Sequence, residues 1–145
     1  QPFLSDQRCK VPLLLRGSGV KAGVCDEIIS AADYAGILCR LSGIEYNYEG
    51  TDAQLPVLFG GDKERDYALS QSIFLGDPYQ AAFHGKDFHC YFSTDKPVQE
   101  CFRIDIEGSK FCCFDKLGRD ITGEMDIRKY IDVFRDQVSH LIQYK

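Results

Sequence analysis

VPLLLRGSGVKAGVCDEIISAADYAG, residues 11–36, passes from a β-prone apolar run through Gly17, Gly19 and Gly23 into a stretch with helical spacing. Residues 11–16 read as a short strand, with Pro12 tolerable near a strand start or at an edge. Beyond the glycines, Cys25, Ile28, Ile29, Ala32, Ala35, Gly36 and Cys39 recur at the period of a helix over residues 25–41. A second apolar stripe at Tyr34, Ile37, Leu38 and Leu41 predicts a helix lying between two layers. Ser42-Gly43 stops it, and IEYNYE (residues 44–49) alternates as a strand does. The expectation is a βαβ-like N-terminal portion.

Outward from there, LPVLFGG (55–61) reads as another short strand, DKERD (62–66) as a charged turn, and YALSQSIFLG (67–76) gives no firm assignment. Asp77-Pro78 marks a turn. The second half changes period: FHCYFS (88–93), CFRIDI (101–106) and KFCCF (110–114) alternate with period two, as in an antiparallel β-meander. Gly108-Ser109 suits a type II′ hairpin that sets Glu107 opposite Lys110, Ile106 opposite Phe111 and Ile104 opposite Cys113. On a strand, Cys112 and Cys113 point to opposite faces, which makes Cys113 a core side chain. Ile127, Tyr130, Ile131, Phe134, Val138, Leu141 and Ile142 then define a long amphipathic helix over 123–143, with Thr122 as N-cap and an exposed Arg128–Asp132 pair. The fold class expected is α+β: a single globular domain over residues 1–145, its βαβ-like portion followed by an antiparallel meander packed on the C-terminal helix.

The composition bounds the function. The 145 residues are 44% apolar and 27% charged, enough for a real core, and the net charge of −5 is interspersed along the chain. No basic stripe offers itself to nucleic-acid phosphates, and no apolar run approaches the roughly 18 residues of a membrane span. The chain starts at Gln1, which allows for a processed N-terminus. Cys9, Cys25, Cys39, Cys90, Cys101, Cys112 and Cys113 make an odd count of 7 with no C-x-x-C pair, which favours reduced, partly buried thiols in a reducing compartment.

Three chemistries are conceivable near particular residues. A glycine loop before a helix can cradle phosphate, with Lys21 adding charge, but Gly17, Gly19 and Gly23 match neither the dinucleotide fingerprint nor a P-loop, and Glu49 is the only acid placed for a ribose. HGKDFHC offers His84, Asp87, His89 and Cys90 to a metal, yet the linear spacing fits no standard ligand set, and no metal is expected there. His140 falls on the polar face of the last helix. The third is thiol chemistry: at a helix N-terminus, Cys25 would have its pKa depressed and its reactivity raised.

Strand, loop, helix with Cys25 at its start, IEYNYE, QLPVLFGG and LSQS together weakly resemble the N-terminal thioredoxin-like domain of glutathione transferases. The resemblance implies a thiol contact from Ser18 or Cys25, a cis proline at Pro56, and γ-glutamyl binding by Gln71-Ser72, where Gln stands in for the usual acid. Ser18, Lys21, Pro56, Gln71 and Ser72 would then line a thiol-ligand site, with Cys25 and Ser18 as its reactive groups. Against this stands the absence of any catalytic constellation, which points away from an enzyme and from a cofactor. A load of 8 Tyr and 10 Phe without Trp suits an interface as well as a core. The expected role is a non-enzymatic binding or assembly module that presents a surface to a protein partner; the rival is a small thiol-binding or redox domain using residues 17–25.

Overall fold

Alternation along residues 88–97 and 110–115 sorts side chains onto two faces of a four-stranded sheet, ordered β1–β2–β3–β4. The computed structural model describes residues 4–74, 76–97 and 109–143. The strands are β1 (Tyr67–Ser72), β2 (Pro78–Gly85), β3 (Phe88–Pro97) and β4 (Lys110–Asp115), with β2–β3 and β3–β4 antiparallel. The helices are α1 (Asp6–Cys9), α2 (Tyr34–Leu41) and α3 (Arg128–Gln143), together with 3₁₀ turns at Ala31–Asp33 and Val57–Phe59. This is an α+β architecture. The chain divides into two compact units, one of residues 1–10 and 69–145, the other of residues 11–68.

In the sheet unit, one face is aromatic. Tyr79 and Phe83 of β2, Phe92 of β3 and Tyr130 and Phe134 of α3 are buried together. Tyr79 stacks on Phe134 with centroids 5.4 Å apart, and Phe83 packs on Tyr130 at 5.2 Å. Each such side chain removed from water contributes roughly 1.5–3 kcal/mol, so this layer is the main source of the unit's stability. Cys90 and Cys113 are directly opposite one another in the β3–β4 register and are joined by a disulfide on this same buried face. Cys113 is therefore core, as its strand position demands, but it is not a free thiol. The Ile104–Cys113 register and the Gly108-Ser109 turn fall on residues that include 104 and 108, outside the described ones.

The C-terminal helix begins at Arg128, five residues later than Gly123, and is correspondingly shorter than its periodicity suggests. The cause is local: Thr122 does not cap a helix, since its hydroxyl bonds Asp120 and accepts the Cys113 N–H at 2.8 Å. Arg128 pairs with Asp126 rather than Asp132, which meets Arg135 instead. The face carrying Tyr130 and Phe134 packs on the sheet as its spacing requires.

The unit of residues 11–68 differs from the βαβ-like expectation. Residues 11–16 and 44–49 form no strand, and 55–61 hold a 3₁₀ turn at Val57–Phe59 in place of one. Apolar composition alone cannot make a strand without a neighbour to take up its backbone groups. The helical region starts at Ala31, not Cys25, because Ser30 caps it: its hydroxyl accepts the Ala32 N–H, and the Asp33 carboxylate accepts the Ser30 N–H at 2.8 Å. Ser42 ends α2, and Gly43 takes the left-handed φ of 69° that closes the turn. Ile37 is buried but Leu38 is exposed, so α2 presents one buried stripe and does not lie between layers. Asp33, 1% exposed, ties the unit together: it takes both Arg65 donors and the Gln54 N–H at 2.7 Å. Gly61 is obligatory for steric reasons, because a Cβ there would overlap the Leu55 carbonyl. No helix among the described residues is long and apolar enough to cross a membrane.

Candidate functional site

The glycine loop does not meet a helix N-terminus. Gly17 to Gly19 form a turn, closed by the Val20 N–H on the Gly17 carbonyl, and the first helical turn waits until Ala31. Backbone donors of the capping region are already taken by Ser30 and its box, so neither a phosphate cradle nor a dipole acting on Cys25 is formed. Cys25 is exposed and lies outside the helix whose apolar face it was expected to share.

Residues 20–25 nevertheless line a concavity of about 490 Å³ within the residue 11–68 unit. Its walls include Val11, Leu14, Val24, Tyr34, Leu58 and Phe59. Leu14 is 91% exposed and Val24 fully so. Glu27 lies at its edge with its carboxylate engaged by the Val57 N–H at 2.7 Å, which pins the Val57–Phe59 turn beside the opening. Among the described residues, the backbones of Val11, Leu13, Leu14 and Leu15 make no hydrogen bond. Lys21 and Cys25 also contribute to the walls, whereas Ser18 is exposed and is not among the lining residues.

The residues named by the thioredoxin-like resemblance divide between the two units. Pro56 is buried and follows a trans peptide, since the described residues contain no cis bond. Its carbonyl accepts the Phe59 and Gly61 N–H groups. Gln71 and Ser72 sit on β1 in the sheet unit, where the Gln71 amide donates to Gln137 at 3.2 Å, while Ser18, Lys21, Cys25 and Pro56 belong to the other unit. Glu49 is exposed in a turn rather than at a strand end.

The residues of HGKDFHC separate by face. Cys90 is in the disulfide on the aromatic side, and Asp87 pairs at the surface with Lys116 at 2.9 Å. His84 and His89 stand directly opposite each other across the β2–β3 hairpin, on the other side of the sheet. Asp6, from the first turn of α1, reaches both: its Oδ1 is 2.9 Å from His84 Nδ1 and 3.1 Å from His89 Nδ1. Burial opposes the Asp6 charge, but Lys10, His84 and His89 outweigh it and hold the carboxyl below its usual pKa. Burial lowers the His89 pKa, with Asp6 acting the other way. Burial also raises the Tyr91 hydroxyl on the same face, helped by the Asp6 charge.

Asp6 carries no motif of its own and escaped the sequence reading. The histidines had a legible signal: two His flanking a Gly85-Lys86-Asp87-Phe88 turn become cross-strand neighbours once that turn is taken as a hairpin. His140 lies on α3, and its side chain is outside what the structure describes. Comparison with protein-family models, with curated proteins and with solved structures finds no match.

Proposed function

We propose that the protein is a non-enzymatic binding module whose residue 11–68 unit presents its apolar concavity to an extended apolar segment of a protein partner. The observation that carries this reading is the juxtaposition of nearly fully exposed Leu14 and Val24 with a run of backbone that has no hydrogen-bond partner among the described residues. Apolar side chains grouped around one opening are costly to leave in water, and grouped patches mark interaction sites where scattered ones do not. The unpaired backbone of residues 11–15 offers main-chain donors and acceptors to an extended partner, whose apolar side chains would fill the concavity. A volume of about 490 Å³ suits a few aliphatic or aromatic side chains.

The test is calorimetric titration of the full chain with synthetic extended octapeptides of alternating apolar and polar residues. The reading expects saturable binding that Leu14→Asp or Val24→Asp weakens by about tenfold or more, a charge in a desolvated contact costing well over 1.4 kcal/mol. Lys21→Ala should change affinity by less than about twofold, as for an exposed rim charge. Absence of binding, or binding indifferent to Leu14 and Val24, contradicts it.

A second reading, the thiol-binding domain, keeps one specific support: Cys25 is accessible at the concavity wall. A mixed disulfide with glutathione confined to Cys25 under mild oxidation is its test. Equal labelling of every free thiol would remove that support.

A further inference from the structure

We propose that Asp6, His84 and His89 bind a divalent first-row transition cation of the zinc type. Among the described residues they form the one group of three His, Cys, Asp or Glu side chains close enough to share an ion, with one ligand atom from each and all three within 4.8 Å of one another. The separations of 2.9 and 3.1 Å from Asp6 Oδ1 to the two imidazoles approach the about 3.3 Å between neighbouring ligands around a tetrahedral zinc. Small outward rotations of the side chains would open the ligand sphere without moving the strands.

Two further features point to a ligand rather than to a closed ion pair. The His84 side chain is only 8% exposed, and His89 Nδ1, for all its nearness to Asp6, is buried without a properly directed hydrogen bond to any of the described residues. A buried imidazole nitrogen left unserved beside a carboxylate costs free energy that a cation would recover. The donor set, two imidazoles and one carboxylate, matches borderline cations such as Zn²⁺, Co²⁺ and Ni²⁺ and disfavours Mg²⁺ and Ca²⁺, which take oxygen.

The scaffold holds two of the ligands rigidly. His84 and His89 are fixed by the hairpin register, and the tilted ring contact between them at 5.7 Å shows both turned to one side. Asp6 is on the first turn of α1, with 30% of its side chain exposed, so the remaining coordination positions open towards solvent for water or an outside ligand. Lys10 binds the other carboxylate oxygen, Oδ2, at 2.6 Å, leaving Oδ1 facing the histidines. Its positive charge opposes a cation, but its side chain is 64% exposed and can turn away into water.

The experiment uses the full chain, stripped with chelator and with accessible thiols alkylated so that cysteines do not compete. Zn²⁺ is titrated calorimetrically, Co²⁺ is followed by its ligand-field absorption, and histidine ring resonances are read by NMR as Zn²⁺ is added. The proposal expects one equivalent bound, shifts at the His84 and His89 rings in the unsubstituted protein, and at least about tenfold weaker binding in Asp6→Asn and His89→Gln. Mg²⁺ should not compete. No uptake, or uptake that leaves both rings unshifted, would overturn it and leave the trio as an ion pair tying α1 to the sheet. The ring shifts need no variant, so a substitution that fails to fold does not remove the test.

Discussion

Asp33 and Arg65 meet through both carboxylate oxygens, Arg65 Nε lying 3.1 Å from Oδ2 and Nη2 bonding Oδ1. With Asp33 1% exposed, and Arg65 also donating to the Asp52 carbonyl at 2.8 Å, this pair joins three segments of the residue 11–68 unit. A unit with no sheet of its own among residues 11–66 depends on such polar ties more than a layered core does.

Asp33→Ala therefore leaves two backbone N–H groups without their acceptor and the half-buried Arg65 guanidinium with only the Asp52 carbonyl. The expected loss is about 2 to 3 kcal/mol, below the cost of breaking a wholly buried pair because Arg65 keeps one acceptor and some contact with water. Asp126→Ala removes a pair with Arg128 that is exposed at the surface and should leave stability essentially unchanged. Denaturant unfolding followed by backbone and tyrosine signals measures both; equal effects would mean that Asp33 is not a hub.

The cysteines should fall into three classes in a differential alkylation experiment. Cys25 labels fast because it is exposed; Cys112 labels slowly because burial raises its pKa and limits access; Cys90 and Cys113 label only after reduction. Closing a loop across a sequence separation of 23 residues, the disulfide should contribute about 3 kcal/mol, lost in the Cys90→Ala/Cys113→Ala double variant. Peptide mapping that finds Cys90 and Cys113 both free in native protein would contradict the pairing.

Tyr79 carries a buried hydroxyl with no hydrogen-bond partner among the described residues while its ring stacks on Phe134. Tyr79→Phe keeps the stack and removes the orphan group, so stability should rise by up to about 1 to 2 kcal/mol. Burial raises the Tyr79 pKa above the ordinary value of 10.0, so the folded state favours the protonated phenol. The contribution is complete below that value and is lost as pH climbs through the alkaline range towards the folded pKa. Unfolding midpoints measured from pH 8 upward should fall less steeply in Tyr79→Phe than in the unsubstituted chain.

Strands β3 and β4 were legible because period-two alternation coincides with real burial: Cys90, Phe92 and Cys113 are in, and their neighbours are less so. The aromatic face of α3 was legible for the same reason. Strand β2 was not, since PYQAAFHG alternates poorly: Tyr79, Ala81, Ala82, Phe83 and His84 are all buried, covering both faces at once. Residues 11–16 misled in the other direction. They are apolar like a strand, yet Leu14 stays 91% exposed and no strand among the described residues pairs with its backbone. The Asp6, His84 and His89 cluster joins residues far apart in the chain, and the Asp33–Arg65 tie spans 32 positions, so neither leaves a local pattern to read.

The same exposure of Leu14 lets binding be read apart from stability. The affinity of the full chain for an extended apolar octapeptide, compared between the unsubstituted protein and Leu14→Asp, isolates the contact the account depends on. Since Leu14 is already in water, Leu14→Asp should leave the free energy of unfolding unchanged within about 0.5 kcal/mol while weakening peptide binding about tenfold or more. Equal peptide affinity in the two folded proteins would contradict the assignment of the residue 11–68 concavity as the binding surface.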